Sequence, residues 1–511
     1  MAPAAAAGQP AAVGGSFLGK AGPLVIARFV SALLTVSIPL VLARQLPLKD
    51  YGSYKQLFLL FQTLFMILPF GMSQSLYFFV PRSPEQGRAW FGQAMVWLFA
   101  MGLVACGAFF MFEGEVAHYF NNPELLQYKW ELCVYTACLL GSHPLELWFT
   151  SRGHTKASAV SYLVSDTIRA LALVIPVALG FGLKGAMVCS AGFAVIRYAT
   201  CFIVLLKSPG ESIFKGRLFV SQLLYAAPFG AAMLLSYPQA AAHQYAVSAV
   251  VSPELFAIYA VGVFQLPLVD LFYTPTSEVL MVRIGELEKQ QRLDLALGAF
   301  KEAAAKLSLI FLPLAAFLFA AAPEFIGALF GPKFFAAVPI FRISVWGVVL
   351  ASLPMDGVLR ARNSTRHIFF SYLVKTIVTI PLVYFGVKRF GMLGGIESWL
   401  IAEIVGKAML FIRMPYALSD PNGKRLSAME IIPWPQFGKA ALSACAAAVA
   451  VVAGRTIVPS GTVESLPHTL LWRMLPLSGA GLLFGAGYLT VLRLTGVRPF
   501  SVFSVLLKRR A

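Results

Sequence analysis

One stretch of the chain occurs twice and decides the fold. Residues 119–164 are YFNNPELLQYKWELCVYTACLLGSHPLELWFTSRGHTKASAVSYLV, and residues 329–374 are LFGPKFFAAVPIFRISVWGVVLASLPMDGVLRARNSTRHIFFSYLV. The two stretches align without a gap at an offset of 210 residues, which pairs Pro144 with Pro354 and Arg152 with Arg362. A match of this length at one fixed offset indicates a protein that is built from two structural repeats.

The composition places these repeats in a membrane. Hydrophobic residues make up 58% and charged residues 13% of the 511 residues, whereas soluble domains contain about 45–50% and about 25%. The net charge of +18 does not indicate nucleic-acid binding, because the basic residues flank apolar runs instead of covering a polar domain. We therefore predict an integral membrane protein that binds no nucleic acid.

Fourteen apolar runs are long enough to cross about 30 Å of hydrocarbon, the first near residues 21–44 and the last near 472–494. Six of them separate the two copies, so both copies have the same orientation and the repeat is parallel. We predict an all-α integral membrane protein of about fourteen transmembrane helices, with two six-helix lobes around a central cavity and a C-terminal helix pair. The predicted parts are a disordered N-terminal arm at 1–20, an N-terminal lobe at 21–210, a C-terminal lobe at 211–420, and two additional helices with a basic tail at 421–511.

The basic residues predict the orientation. With a cytoplasmic N-terminus, the inner segments carry 23 Lys and Arg residues and the outer segments carry 10. Cytoplasmic loops of membrane proteins are enriched in Lys and Arg. Both termini are therefore predicted to be cytoplasmic.

Charged residues inside the predicted spans mark the candidate site. On insertion scales a charge at the membrane centre costs about 2.5–3.5 kcal/mol, so such residues face a wet cavity or a partner. Arg28 and Lys375 have no acid within four positions, and an unpaired cation in a cavity attracts an anion such as phosphate. The predicted substrate-binding cations are Arg28, Lys375, Arg169, Arg197 and Lys407.

Spacing offers a structural interpretation for other charges. Asp166 and Arg169 are three residues apart and Glu403 and Lys407 four apart, so each set can pair on one helix face. Glu146 and Asp356 occupy equivalent positions in the repeat. They can pair with Arg152 and Arg362 at the same helix ends, which would be a structural role.

The seventh and eighth spans carry signs of mobility. Pro228 and Gly230 lie in the middle of the seventh span, where they break or bend a helix. Pro267 and Pro275 flank Asp270 in the eighth. Interrupted helices with polar side chains are typical of transporter substrate sites, so these four residues are predicted hinges. Asp166 and Asp270 are the predicted ion-coupling residues.

Three motifs carry a family resemblance: LARQLPLKDYGSY at 42–54, SPELFAIYAVG at 252–262 and LFGPKFFAAVPIFRI at 329–343. With the mid-span Arg28, they resemble Wzx-type polysaccharide and O-antigen transporters of the multidrug/oligosaccharidyl-lipid/polysaccharide exporter superfamily, over residues 20–417. The resemblance implies a lipid-linked oligosaccharide flippase of the bacterial inner membrane that moves an undecaprenyl-pyrophosphate-linked sugar unit. It also implies membrane lipid, a polysaccharide polymerase and export proteins as partners of a monomer.

Two other functions stay open. A cation-coupled multidrug or small-molecule antiporter of the same superfamily would favour a cavity of unpaired carboxylates. A membrane-embedded polysaccharide polymerase or ligase would present a large outer loop, whereas the loops here are short. The sequence contains no HExxH or GxxxxGK[ST] motif, so we predict no enzyme, no cofactor and no metal. Fourteen spans also resemble the lipid II flippase branch, but its sodium-binding acids on the seventh and eleventh helices are not matched.

Overall fold

A computed structural model describes residues 16–264, 266–419, 426–457 and 470–496. Every regular element in these ranges is helical, which confirms the predicted all-α class. The helices of the first copy are α1 (Ser16–Gln45), α2 (Leu48–Ile67), α3 (Leu76–Arg82), α4 (Gly87–Met111), α5 (Glu113–Tyr119), α6 (Lys129–Ser142), α7 (Leu145–Ser151), α8 (Thr155–Ala178) and α9 (Gly182–Leu206).

The second copy has the same order of elements. Its helices are α10 (Gly216–Ser248), α11 (Pro253–Gly262), α12 (Leu268–Lys289), α13 (Ala296–Ala320), α14 (Ala322–Leu329), α15 (Val338–Ser344), α16 (Trp346–Leu350), α17 (Met355–Ala361) and α18 (Thr365–Leu418). Beyond the repeat lie α19 (Ala428–Ile431), α20 (Trp434–Ile457) and α21 (Leu470–Leu494). Short 3-10 helices occupy Pro84–Gln86, Pro123–Tyr128, Leu293–Leu295 and Pro332–Ala337.

The helix boundaries reproduce the sequence repeat. Helix α17 begins and ends 210 residues after α7, and α18 begins 210 residues after α8. Gly182 and Gly391 have φ values of 61° and 60° at equivalent breaks between helices. Positive φ values favour glycine, which explains the residue type at both breaks. The break at Gly391 divides α18 into two arms that correspond to α8 and α9.

Eight stretches in the described ranges are long and apolar enough to cross a membrane by length and composition. One of them, Arg366–Leu418, contains the break at Gly391 and at about 1.5 Å per residue is long enough for two crossings. The chain is therefore a multi-pass membrane protein. The total of fourteen spans stays a prediction.

The described residues form two compact units. Unit 1 comprises 16–45, 60–114 and 124–233, and unit 2 comprises 46–59, 115–123 and the described residues from 234 onward. In unit 1, α1 packs on α8, α8 on α9, and α6 lies between α4 and α9. In unit 2, α12 packs on α13 and α17, and α20 and α21 pack together beside α13 and α14. The predicted lobe boundaries at 210 and 420 stay predictions.

Of the break or bend predicted in the seventh span, the break does not occur, and the hinge role stays a prediction. Helix α10 continues through Pro228 and Gly230. A Cβ at Gly230 would overlap the Phe70 ring, so this glycine allows close packing on the turn that precedes α3. Pro267 immediately precedes α12, and Pro275 lies inside that helix.

Candidate functional site

Each unit contains a cluster of charged residues, some of them buried, and the two clusters include repeat-equivalent residues. In unit 1, Arg197 Nη2 on α9 donates to Glu146 Oε1 at 3.0 Å and to Oε2 at 2.8 Å on α7. The side chains are 11% and 3% exposed. Arg197 also donates to Ser165 and, at 3.1 Å, to Ser142 Oγ. Arg197 therefore has its charge and several of its donors satisfied within unit 1.

A second ion pair in unit 1 lies on one face of α8. Arg169 Nη2 is 2.9 Å from Asp166 Oδ1, which confirms the pair predicted from the spacing. Arg169 Nη2 also donates to Thr35 Oγ1 on α1 at 2.9 Å. Asp166 and Arg169 line a cavity together with Glu146 and Arg197. This cavity contains two acids and two bases in pairs, so its net charge is zero.

The cluster of unit 2 is centred on the two arms of α18. Lys375 lies ten residues into the helix, about 15 Å along its axis, and is 8% exposed. Its Nζ donates to Glu403 Oε1 at 2.5 Å. A Cβ at Gly406 would lie 2.7 Å from Lys375 Cδ, so the missing side chain of this glycine makes room for the lysine.

Asp356, the counterpart of Glu146, has different partners. Its Oδ1 accepts a hydrogen bond from the Tyr273 hydroxyl on α12, and its Oδ2 accepts one from Arg360. Ser277 Oγ lies 3.3 Å from both oxygens. The carboxylate therefore pairs with Arg360, which is four residues further along the chain.

Lys407 is the counterpart of Arg197, 210 residues further along the chain. Its Nζ donates to the Leu353 carbonyl at 3.5 Å, a long hydrogen bond, and lies 5.2 Å from the centre of the Tyr273 ring. Among the described residues, Lys407 has no carboxylate within 4.0 Å, although Asp356 and Glu403 interact with it electrostatically. Lys375, Lys407 and Arg360 face two carboxylates, Glu403 and Asp356. We call these five residues and Tyr273 the lysine cluster; its net charge is +1.

Several pairings expected from spacing are replaced by others. Lys375 is not unpaired, because it bonds Glu403 across the two arms of α18, and Glu403 does not pair with Lys407. Glu146 binds Arg197 instead of Arg152, whose guanidinium lies over the Trp148 ring at 5.2 Å. Arg362 pairs with Glu288. These partners lie on other helices or arms, where local spacing gives no signal.

The remaining predicted site residues lie apart from these clusters or outside the description. Arg28 lies in α1, but its side chain is outside the described part of the chain. Asp270 is exposed on the first turn of α12. In the described ranges, no group of three or more His, Cys, Asp or Glu side chains could hold a metal ion.

The sequence interpretation missed Tyr273 as a partner of Asp356 and the equivalence of Arg197 and Lys407. The equivalence of Arg197 and Lys407 could have been found from the sequence, because the 210-residue offset continues from 164 and 374 to 197 and 407. The repeat gave no such indication for Tyr273, because the region around it aligns with the first copy at an offset other than 210 residues.

The apolar helical stretches are those of a multi-pass membrane protein, and the fold resembles those of known transporters. A structure of the lipid II flippase MurJ, in an inward closed conformation, matches with a TM-score of 0.67 at 14% identity over 92% of this chain and 98% of that one. An inward-facing multidrug resistance MATE family transporter of the MOP superfamily matches with a TM-score of 0.58 at 14% identity, over 79% and 100%. A eukaryotic MATE transporter matches with a TM-score of 0.54 at 13% identity, over 84% and 98%.

The model of a polysaccharide biosynthesis protein family matches residues 41–339. This match covers more than half of the chain, so the chain belongs to that family. No curated protein matches the sequence at a significant level.

Proposed function

We propose that this protein is a flippase that moves an undecaprenyl-pyrophosphate-linked oligosaccharide across the bacterial inner membrane by alternating access. The transported glycan would be an O-antigen, capsule or exopolysaccharide repeat unit. Membership of a polysaccharide biosynthesis family and a fold like that of a lipid II flippase support the proposal. Both termini are cytoplasmic, and membrane lipid, a polymerase and export proteins are its partners.

The observation that carries the proposal is the excess positive charge of the lysine cluster. Lys407 is held by one long hydrogen bond and an aromatic ring, with no ion pair among the described side chains. Lys407 is partly buried, and a cation without a bound carboxylate is costly inside a membrane. A phosphate oxygen would supply the missing partner through a charge-assisted hydrogen bond. A pyrophosphate headgroup is therefore the ligand that this cluster suits.

The cations differ in how they would serve that headgroup. Lys407 binds it directly, and Lys375 joins after exchanging Glu403 for a phosphate oxygen. Arg169 and Arg197 already hold carboxylates, so we assign them to the architecture of unit 1 instead of to the phosphates. Arg28 keeps its predicted role as a further phosphate ligand.

Coupling and motion follow the sequence predictions with one refinement. Asp166 is engaged by Arg169, whereas Asp270 is exposed near the start of α12. We therefore place ion coupling at Asp270 first. Pro267 and Pro275 would let α12 tilt near Asp270. Pro228 has no N–H to donate to the preceding turn, so it and Gly230 would let α10 bend.

A cellular experiment tests this function. Deletion of the gene should leave undecaprenyl-pyrophosphate-linked oligosaccharide in the cytoplasmic leaflet, and the intact gene should restore export. Lys407→Gln should fail to restore it, whereas Lys388→Gln, an exposed position on the same helix, should succeed. Normal export in the deletion strain would overturn the proposal. Loss of drug resistance with normal export would identify a small-molecule antiporter instead.

A further inference from the structure

The cavity in unit 1 is lined by residues that are not part of the proposed pyrophosphate site. Its volume is about 200 Å³, below the range of about 300–1,000 Å³ for drug-sized ligand sites. At about 30 Å³ for each water molecule, it holds the volume of about six to seven waters. It is thus of a size for one sugar ring and too small for a multidrug substrate.

The charges that line this cavity are balanced. Glu146 is neutralised by Arg197 and Asp166 by Arg169, both through contacts of 2.8–2.9 Å. A phosphate would gain no net attraction there. A ligand with many neutral hydroxyl groups would, because paired carboxylates and guanidinium groups still offer acceptors and donors side by side.

Unused hydrogen-bonding capacity remains at the cavity. The Nε of Arg169 is buried without a hydrogen-bond partner, and such a group costs free energy until it is satisfied. His143 is held in place by a 2.7 Å bond between its Nδ1 and Ser73 Oγ. Tyr162 also lines the cavity.

Two aromatic rings complete the lining. Phe65 and Phe193 both face the cavity, and Phe65 meets the His143 ring edge to face at 5.1 Å. Aromatic faces suit the apolar C–H side of a pyranose, while the polar groups suit its hydroxyls. In unit 2 the position of Phe193 is taken by Glu403, so the aromatic wall belongs to unit 1 alone.

We propose that the unit 1 cavity is a subsite for one neutral sugar ring of the transported glycan. This inference rests on the proposed flippase function and concerns unit 1 by itself. The pyrophosphate binds the lysine cluster of unit 2. The sugar ring binds among Tyr162, Asp166, Arg169 and the two phenylalanines of unit 1.

The test uses the purified full-length protein in detergent and two separate probes. The first probe is a panel of free neutral monosaccharides, with glucuronic acid as the charged comparison, followed by ligand-detected NMR. At least one neutral sugar should bind saturably and more tightly than the uronate. The second probe is undecaprenyl pyrophosphate without sugar, which reports on the proposed function alone.

The variants separate the two sites. Tyr162→Phe removes a hydroxyl group and Asp166→Asn replaces a charged acceptor by a neutral amide, so each should weaken sugar binding about five- to tenfold. Phe193→Ala removes one aromatic face and should also weaken sugar binding. Lys407→Gln should leave sugar binding unchanged while reducing undecaprenyl pyrophosphate binding, and the unit 1 variants should do the reverse. For each variant, the binding activity that is retained shows that the protein is folded.

Three results would overturn the inference: no neutral sugar binds, Phe193→Ala binds sugar as tightly as the wild type, or Lys407→Gln loses sugar binding. Failure of undecaprenyl pyrophosphate to bind, with sugar binding intact, would count against the proposed function and leave the sugar subsite standing. A cavity that responds only to sodium or pH and binds no sugar would be a coupling site, which also overturns the inference.

Discussion

Arg197 Nη2 on α9 donates to both carboxylate oxygens of Glu146 on α7, at 3.0 Å and 2.8 Å. Their counterparts 210 residues later, Lys407 and Asp356, do not bond each other. Asp356 bonds Tyr273 and Arg360 instead, which leaves Lys407 with a single long hydrogen bond. The duplicated acid and base have therefore diverged into a structural pair in unit 1 and an open cation in unit 2.

The pair in unit 1 should be essential for stability. Glu146→Gln would leave the Arg197 guanidinium buried without a counter-charge, and such a loss costs about 3–5 kcal/mol. Thermal unfolding of the purified protein should show a large drop in midpoint temperature. The double variant Glu146→Gln with Arg197→Met should recover much of it, because both charges are then gone. A single variant as stable as the wild type would contradict the structural role.

The open cation in unit 2 should matter for binding and little for folding. Lys407→Gln should lower the affinity for undecaprenyl pyrophosphate by about 10- to 100-fold, since a hydrogen bond to a charged group contributes about 1.5–3 kcal/mol. Lys407→Arg should retain most of the affinity, and Lys388→Gln serves as the exposed control. Titration by intrinsic tryptophan fluorescence measures the effect. Equal affinity for Lys407→Gln and Lys388→Gln would exclude Lys407 as a ligand.

Glu403 competes with the phosphate for Lys375. Glu403→Gln should therefore raise the affinity for undecaprenyl pyrophosphate a few-fold and slow its release, because the 2.5 Å ion pair no longer has to be exchanged. Equilibrium binding and dissociation rates, measured on one preparation, test both parts. Weaker binding with faster release would show that Glu403 positions Lys375 instead of competing for it.

Two glycines should respond in opposite ways to alanine. At Gly52 in α2 a Cβ would overlap the Pro253 carbonyl oxygen at the start of α11, and backbone cannot move aside cheaply, so Gly52→Ala should destabilise by about 1–3 kcal/mol. Gly107, exposed in α4, has nothing within 4 Å of the added Cβ. Gly107→Ala should stabilise by about 0.5–1 kcal/mol through helix propensity. Equal unfolding temperatures would refute the close contact at Gly52.

The repeat made much of the fold predictable, because helices at equivalent positions bury equivalent faces. The offset from Pro144 to Pro354 located α7 and α17, and the membrane class followed from composition. The charge pairs were harder to predict from the sequence. Asp166 and Arg169 share one helix face, so their spacing was enough, whereas Lys375 and Glu403 meet only after the chain reverses at Gly391. Such contacts depend on how α18 folds back, which local periodicity does not encode.

Reconstitution tests the central claim most directly. Proteoliposomes would contain the purified protein and an undecaprenyl-pyrophosphate-linked oligosaccharide confined to one leaflet, with a lectin or glycosidase added at the opposite surface. The account predicts time-dependent access to the glycan with wild-type protein and Lys388→Gln, and background access with Lys407→Gln. Access equal to that of protein-free liposomes with the wild type, or full access with Lys407→Gln, would contradict it.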